Sequence, residues 1–134
     1  MTLTIKRLVI VCLFSAIILK THAAEPLLIY GGDQHETFLG CLNCSKFDTN
    51  SVSNTFGPHG SAFASDSIFN QFGYFGSTFS SLSVCSVFAG NPPIVVNQKG
   101  ESYGRLTLNA MAPNAIKNGS VVRWLRVIVC HQAD

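Results

Sequence analysis

One short stretch of the sequence concentrates side chains that could exchange protons or bind a metal, and it reads Asp33-Gln34-His35-Glu36. In such a group the His35 imidazole could act as a general base, oriented by the carboxylate of Asp33 or Glu36. The same residue types are common in solvated turns between strands, where they bond to the backbone. The stretch is therefore a candidate hydrolytic or metal-dependent site, with a plain turn as the alternative.

The cysteines offer a second kind of chemistry. Cys41 and Cys44 have the spacing of a redox dithiol and of half a zinc site, which Cys85, Cys130 or His131 would have to complete. Because Cys130 and His131 are adjacent, both would point at one metal only with difficulty. In an exported chain, an even number of cysteines favours structural disulfides. Four cysteines allow three pairings, and the spacing does not choose among them.

The start of the chain, up to Ala23, has the pattern of a secretory signal peptide. Lys6 and Arg7 precede an apolar run over residues 8–19, and a cleavage site with small residues follows, ending at Ala23. The run falls short of the roughly 20 residues that cross a bilayer, which disfavours a membrane anchor. We expect a signal peptide over residues 1–23 and a mature domain of residues 24–134 in the periplasm or outside the cell, without a membrane span.

Charge and motifs exclude several classes of function. Loss of Lys6, Arg7 and Lys20 leaves six of the nine basic residues against all seven acidic ones, so the mature chain carries about one net negative charge. Lysines and arginines do not cluster as nucleic-acid binding requires. The sequence has no nucleophile elbow, phosphate loop or dinucleotide fingerprint, and we expect no cofactor.

A 16-residue repeat fills residues 51–90. Its units read SVSNTFG from Ser51, SIFNQFG from Ser67 and SVCSVFA from Ser83, and a second motif reads GSAFAS from Gly60 and GSTFSS from Gly76. A fixed period is typical of stacked architectures in which one unit cannot bury its apolar side alone. We expect a small β stack, either a short solenoid or an antiparallel meander.

The repeated phenylalanines are expected to form buried ladders. In a solenoid, equivalent residues would stack at about 4.8 Å, with Phe56, Phe72 and Phe88 in one row and Phe63 and Phe79 in another. Alternation in the second unit would place Ile68, Asn70 and Phe72 on one face. A polar row of Asn54, Asn70 and Ser86 would either bind a repetitive ligand or stabilise the coils. The alternative is that the rings form an exposed platform for sugars or an apolar partner.

Two hairpins are predicted around the repeats. Residues 27–30 and 37–42 form the first, and residues 94–109, with a turn at 97–100, form the second. Asn91-Pro92-Pro93 ends the repeats, since proline cannot donate to a ladder.

A helix is predicted over residues 120–131, with Ser120 as its N-cap. Val121, Trp124, Leu125 and Ile128 have helical spacing. Their apolar face would lie across the sheet and cover one end of the repeats. The β-branched residues make a strand the alternative, but strict alternation would place Arg123 and Arg126 on opposite faces. The predicted fold class is therefore mainly β with one C-terminal α-helix.

The repeats, together with the run LGCLNCSKF from Leu39, NPPIVV from Asn91 and YGRLTLN from Tyr103, resemble an uncharacterised family of exported bacterial proteins. That family carries tandem Ser-Ile-x-Asn-x-aromatic-Gly units with the same period. This chain has phenylalanine where the family usually has tyrosine. The resemblance implies a repeat-built exported domain and assigns no catalytic residue.

We therefore expect a small exported binding or structural module without enzymatic activity, with a protein or a glycan as partner. One alternative is a hydrolase or metal-dependent enzyme that uses Asp33, His35 and Glu36. A second alternative is a thiol–disulfide protein that uses Cys41 and Cys44.

Overall fold

The computed structural model describes residues 23–133, so the predicted signal peptide lies outside the described residues except for Ala23. Four strands form one antiparallel sheet in the order β2-β1-β3-β4, and a helical segment of residues 119–129 follows. The strands are β1 (Leu28–Gly31), β2 (Thr37–Cys41), β3 (Ile94–Val96) and β4 (Ser102–Arg105). The prediction of a mainly β fold with one C-terminal helix is confirmed.

Both predicted hairpins are present, and they lie side by side. β1 pairs with β2, β3 pairs with β4, and β1 also pairs with β3 so that Ile29 lies opposite Val95. Alternation along these short strands turns Ile29, Leu39 and Val95 inward, where they are fully buried. Because β2 and β3 both run antiparallel to β1, the repeat block begins at the Cys41 end of the sheet and finishes at the opposite end, beside the turn that contains Asp33.

The repeat block is built from hydrogen-bonded turns rather than strands. In the second unit, the amide of Asn70 donates to the Ser67 carbonyl at 3.3 Å, and the amide of Gly73 donates to the Asn70 carbonyl at 3.0 Å. The first unit contains the same two bonds, one period earlier in the chain. The difference from the predicted strands arises because serine and asparagine side chains bond to nearby amides and so replace a partner strand.

One hydrophobic core combines the sheet, the repeats and the helix. The repeats contribute an aliphatic row of Val52, Ile68 and Val84, each at most 1% exposed. The serine before each of them is also fully buried. The inward residue of each unit is therefore the small aliphatic one.

The C-terminal helix begins as an α-helix, α1 (Gly119–Trp124), and continues as a π-helical turn over Leu125–Val129. Asn118 is the N-cap, because its Oδ1 accepts the amides of Ser120 and Val121 at 3.1 and 3.2 Å, so the prediction of Ser120 was wrong by two residues.

The π-turn changes the buried face of the helix. The Cys130 amide bonds to the Leu125 carbonyl five residues back, at 2.9 Å. Val129 is buried beside Leu125, whereas Ile128, which was predicted to lie on the buried face, is half exposed. The Trp124 ring meets the Phe69 ring edge-on at 6.2 Å. Among the described residues no helix Cα lies within 8 Å of a strand Cα, so the helix packs on the repeats and not across the sheet.

Candidate functional site

In the Asp33–Glu36 turn, the His35 ring bonds to the backbone of a distant segment. The His35 Nε2 lies 3.0 Å from the Pro92 carbonyl oxygen and must donate its proton to it. Asp33 and Glu36 are exposed. In the part of the chain that the structure describes, no hydrogen bond or ion pair joins either carboxylate to the His35 ring.

This turn instead attaches the first hairpin to the end of the repeats. The side-chain amide of Asn91 donates to the Asp33 backbone carbonyl at 3.1 Å, beside the bond from His35 to Pro92. His35 itself has φ 53°, a left-handed conformation that tight turns require. The geometry therefore gives His35 a clear structural role.

The cysteines form two disulfides, Cys41–Cys44 and Cys85–Cys130. The first closes a ring directly after β2, and the second joins the third repeat to the end of the helix. While oxidised, these sulfurs are not thiolates and cannot serve as metal ligands. His131 is exposed, and no three His, Cys, Asp or Glu side chains within residues 23–133 are grouped so that they could hold a metal ion.

The feature that sequence reasoning placed wrongly is the set of repeated phenylalanines. The five phenylalanines of the two predicted ladders are between 90% and 101% exposed, so the prediction that they form the core is wrong. Rings stacked at about 4.8 Å would cover one another, which this exposure excludes. The exposed set, called here the phenylalanine surface, consists of Phe47, Phe56, Phe63, Phe72, Phe79 and Phe88.

Each ring of the phenylalanine surface leaves the backbone at the same position of a turn. The amide of each phenylalanine donates to the side-chain oxygen of a serine or asparagine two residues earlier, at 3.1–3.3 Å. This bond restrains the backbone that carries the ring. The repeats thus hold hydrophobic side chains outward on an ordered scaffold.

The predicted polar row lies within the scaffold. Besides accepting the Phe72 amide, Asn70 donates to the Ala64 carbonyl at 3.1 Å, and Asn54 donates in the same way to the Asp48 carbonyl at 3.2 Å. Of the two readings of this row, the hydrogen bonds of the two asparagines fit stabilisation of the coils.

Open grooves separate neighbouring rings. Phe72 and Phe79 border a groove of about 630 Å³ that Ser77, Ser80 and Ser81 also line. Phe63 and Phe72 border a second groove of about 350 Å³. Asp66 is the only Asp, Glu, Lys or Arg in residues 51–90, so the part of the surface that the repeats form is nearly uncharged. At its edge, the Lys46 ammonium lies 5.2 Å from the centre of the Phe47 ring.

A local signal for these outward rings is present in the sequence. Each exposed phenylalanine stands two residues after Ser or Asn and directly before Asp, Gly, Ala or Ser. Phe69 also follows a serine by two residues but precedes Asn70, and its ring packs against Trp124. Phe75, which follows Gly73 by two residues, is buried.

Comparison of the chain with protein-family models, with curated proteins and with solved structures found no match in any of the three. Within residues 23–133, no helix has the length and apolar character needed to span a membrane. Two disulfides are typical of proteins that fold in an oxidising compartment.

Proposed function

We propose that this protein is an exported, non-enzymatic binding module whose phenylalanine surface contacts an extended glycan. The observation that carries the proposal is the almost complete exposure of six phenylalanines at equivalent turn positions. Water-exposed apolar area of this extent marks an interaction site in a folded protein. Export is supported by the leader-like residues 1–23 and by the two disulfides.

A glycan suits the chemistry between the rings. Aromatic faces pack against the C–H faces of sugar rings, and the hydroxyls of Ser77, Ser80 and Ser81 can donate to or accept from sugar hydroxyls. The near absence of charge gives little attraction to a polyanion. A repeated array of rings also matches a polymer that repeats, since several weak contacts act together.

The proposal is tested by co-sedimentation of the purified oxidised protein with insoluble peptidoglycan, chitin and cellulose. We expect the protein to sediment with at least one of these polymers. The triple variant Phe63→Ser, Phe72→Ser, Phe79→Ser should lose about tenfold or more in affinity, because covering one phenylalanine side chain contributes up to about 1.5–3 kcal/mol. These exposed side chains make no core contact, so the variant should unfold at the same urea concentration as the wild type.

The matched control is Tyr103→Ser, which removes a 55% exposed ring from β4, outside the repeats. It should bind like the wild type. Equal binding by the triple variant, or a wild type that stays in the supernatant with all three polymers, would contradict a glycan role. A wild type that instead dimerises through the same rings would indicate a protein partner.

A further inference from the structure

A second surface of the molecule has a different chemistry. A groove of about 530 Å³ lies between the helix and the segment that follows β4. Its apolar lining consists of Leu108, Ala110, Ala115, Ile116 and Val122. The volume falls within the usual range for small-molecule sites. The groove shares no residue with the phenylalanine surface.

The groove also concentrates positive charge. Lys117, Arg123 and Arg126 line it, which is half of the six basic residues in residues 24–134, and none of its lining residues is acidic. Lys117 and Arg126 have no ion-pair partner among the described residues. Arg126 is nevertheless half-buried. An unpaired cation in a partly desolvated position is costly, and a bound anion would offset that cost.

The polar groups of the groove limit the choice of occupant. Apart from the three cations, Thr107 is the only lining residue with a polar side chain, and Gly119 has no side chain. A peptide in the groove would leave many of its backbone amides without partners. An acyl chain needs no hydrogen bonds, and its carboxylate would satisfy the cations. We therefore infer that this groove binds a fatty-acid-type carboxylate, with its chain on Ile116 and Val122 and its head group beside Lys117 and Arg126.

The inference is tested by isothermal titration of the purified oxidised protein with monomeric dodecanoate. Two matched probes separate its parts: dodecyltrimethylammonium keeps the chain and reverses the charge, and acetate keeps the head group alone. We expect dodecanoate to bind and both other probes to bind at least tenfold more weakly. Equal binding of the cationic detergent, or no heat from dodecanoate at millimolar concentration, would overturn the inference.

Variants locate the site. Lys117→Gln combined with Arg126→Gln should weaken dodecanoate binding about tenfold or more, because charge-assisted bonds are lost. Val122→Asp should do the same by placing a carboxylate in the groove. Lys99→Gln, in the exposed turn between β3 and β4, is the control and should leave binding unchanged. Binding that survives all of these substitutions would show that dodecanoate binds elsewhere and would refute the groove as its site.

Discussion

Asn54 and Asn70 each hold a repeat together through two side-chain bonds. In one bond the side-chain oxygen accepts the backbone amide of the phenylalanine two residues later. In the other, the side-chain amide donates to a backbone carbonyl six residues earlier. In a β-sheet, a neighbouring strand would pair with these backbone amides and carbonyls, whereas here the asparagine side chain does so. The local chemistry of one residue type thus accounts for much of the turn scaffold.

The two bonds of Asn70 can be separated by substitution. Asn70→Ala should lower the free energy of unfolding by about 1–3 kcal/mol, because both bonds are lost. Asn70→Ser keeps an acceptor, as Ser86 does in the third unit, and should lose about half as much. The measurement is equilibrium urea unfolding without reductant. Gln71→Ala, at the exposed neighbour, should change stability by less than about 0.5 kcal/mol; a comparable loss there would show that the Asn70 bonds are not the cause.

Glycine is required where the backbone of one repeat folds back on itself. A Cβ at Gly76 would lie 2.5 Å from the Ile68 carbonyl oxygen and would also collide with that of Asn70. We expect Gly76→Ala to destabilise the protein by about 2 kcal/mol or more, since backbone atoms would have to shift.

Gly90→Ala is the matched control, because a Cβ there meets nothing within 4 Å. It should be neutral or slightly stabilising in the same urea experiment, through the lower entropy of the unfolded chain. Equal effects of the two substitutions would contradict the close approach at Gly76.

The helix illustrates how a single irregular turn selects a buried face. A continuous α-helix would place residues at three- and four-residue intervals on one side, so Leu125 would be followed there by Ile128 or Val129. The wider turn closed by the bond from the Cys130 amide to the Leu125 carbonyl keeps Val129 on the buried side and moves Ile128 away from it. This register also brings Cys130 to Cys85.

Alanine substitution tests that register. Val129→Ala should cost about 1–3 kcal/mol, because it removes two buried methyl groups and leaves a cavity. Ile128→Ala should cost less than about 0.5 kcal/mol, since its side chain is 52% exposed. Both values come from urea unfolding followed by Trp124 fluorescence. A larger loss from Ile128→Ala than from Val129→Ala would contradict this register.

For the molecule as a whole, the two disulfides differ in what they constrain. Cys85–Cys130 spans 45 residues and ties the helix to the repeats, whereas Cys41–Cys44 spans three. In the chain-entropy account, the stabilisation grows with the logarithm of loop length. The long-range bond should therefore contribute more.

The double variant Cys85→Ala, Cys130→Ala should lose about 4 kcal/mol of stability, and Cys41→Ala, Cys44→Ala about 2 kcal/mol. Urea unfolding of the oxidised proteins measures both losses. Intact mass with and without reductant should show two disulfides in the wild type and one in each variant. A larger loss from the short ring would contradict the loop-length argument.

Much of the fold was predictable because its causes are local. Short apolar runs such as residues 27–30 and 94–96, each followed by turn residues, predicted both hairpins, and proline at 92 and 93 predicted the end of the repeats. The period of the repeats was visible directly. These features depend on residues near one another in the chain, and a pattern of side chains suffices to predict them.

The direction of the rings depended on the tertiary structure. Hydrophobicity alone favoured phenylalanine as the core residue of the repeats. In the structure the smaller Val52, Ile68 and Val84 instead pack into the core with the residues of the sheet. The partner of the His35 ring likewise depended on the tertiary structure, since the carbonyl of Pro92, distant in sequence, accepts a hydrogen bond from its Nε2.

The sequence by itself determined the two hairpins, the end of the repeats and that residues 24–134 contain four cysteines. Only the tertiary structure decided which cysteines pair, which helix residues are buried and that the phenylalanines face solvent. The physical reason is that turns and alternation arise from neighbouring residues. Burial and pairing instead depend on the volume and contacts that distant segments leave for each side chain.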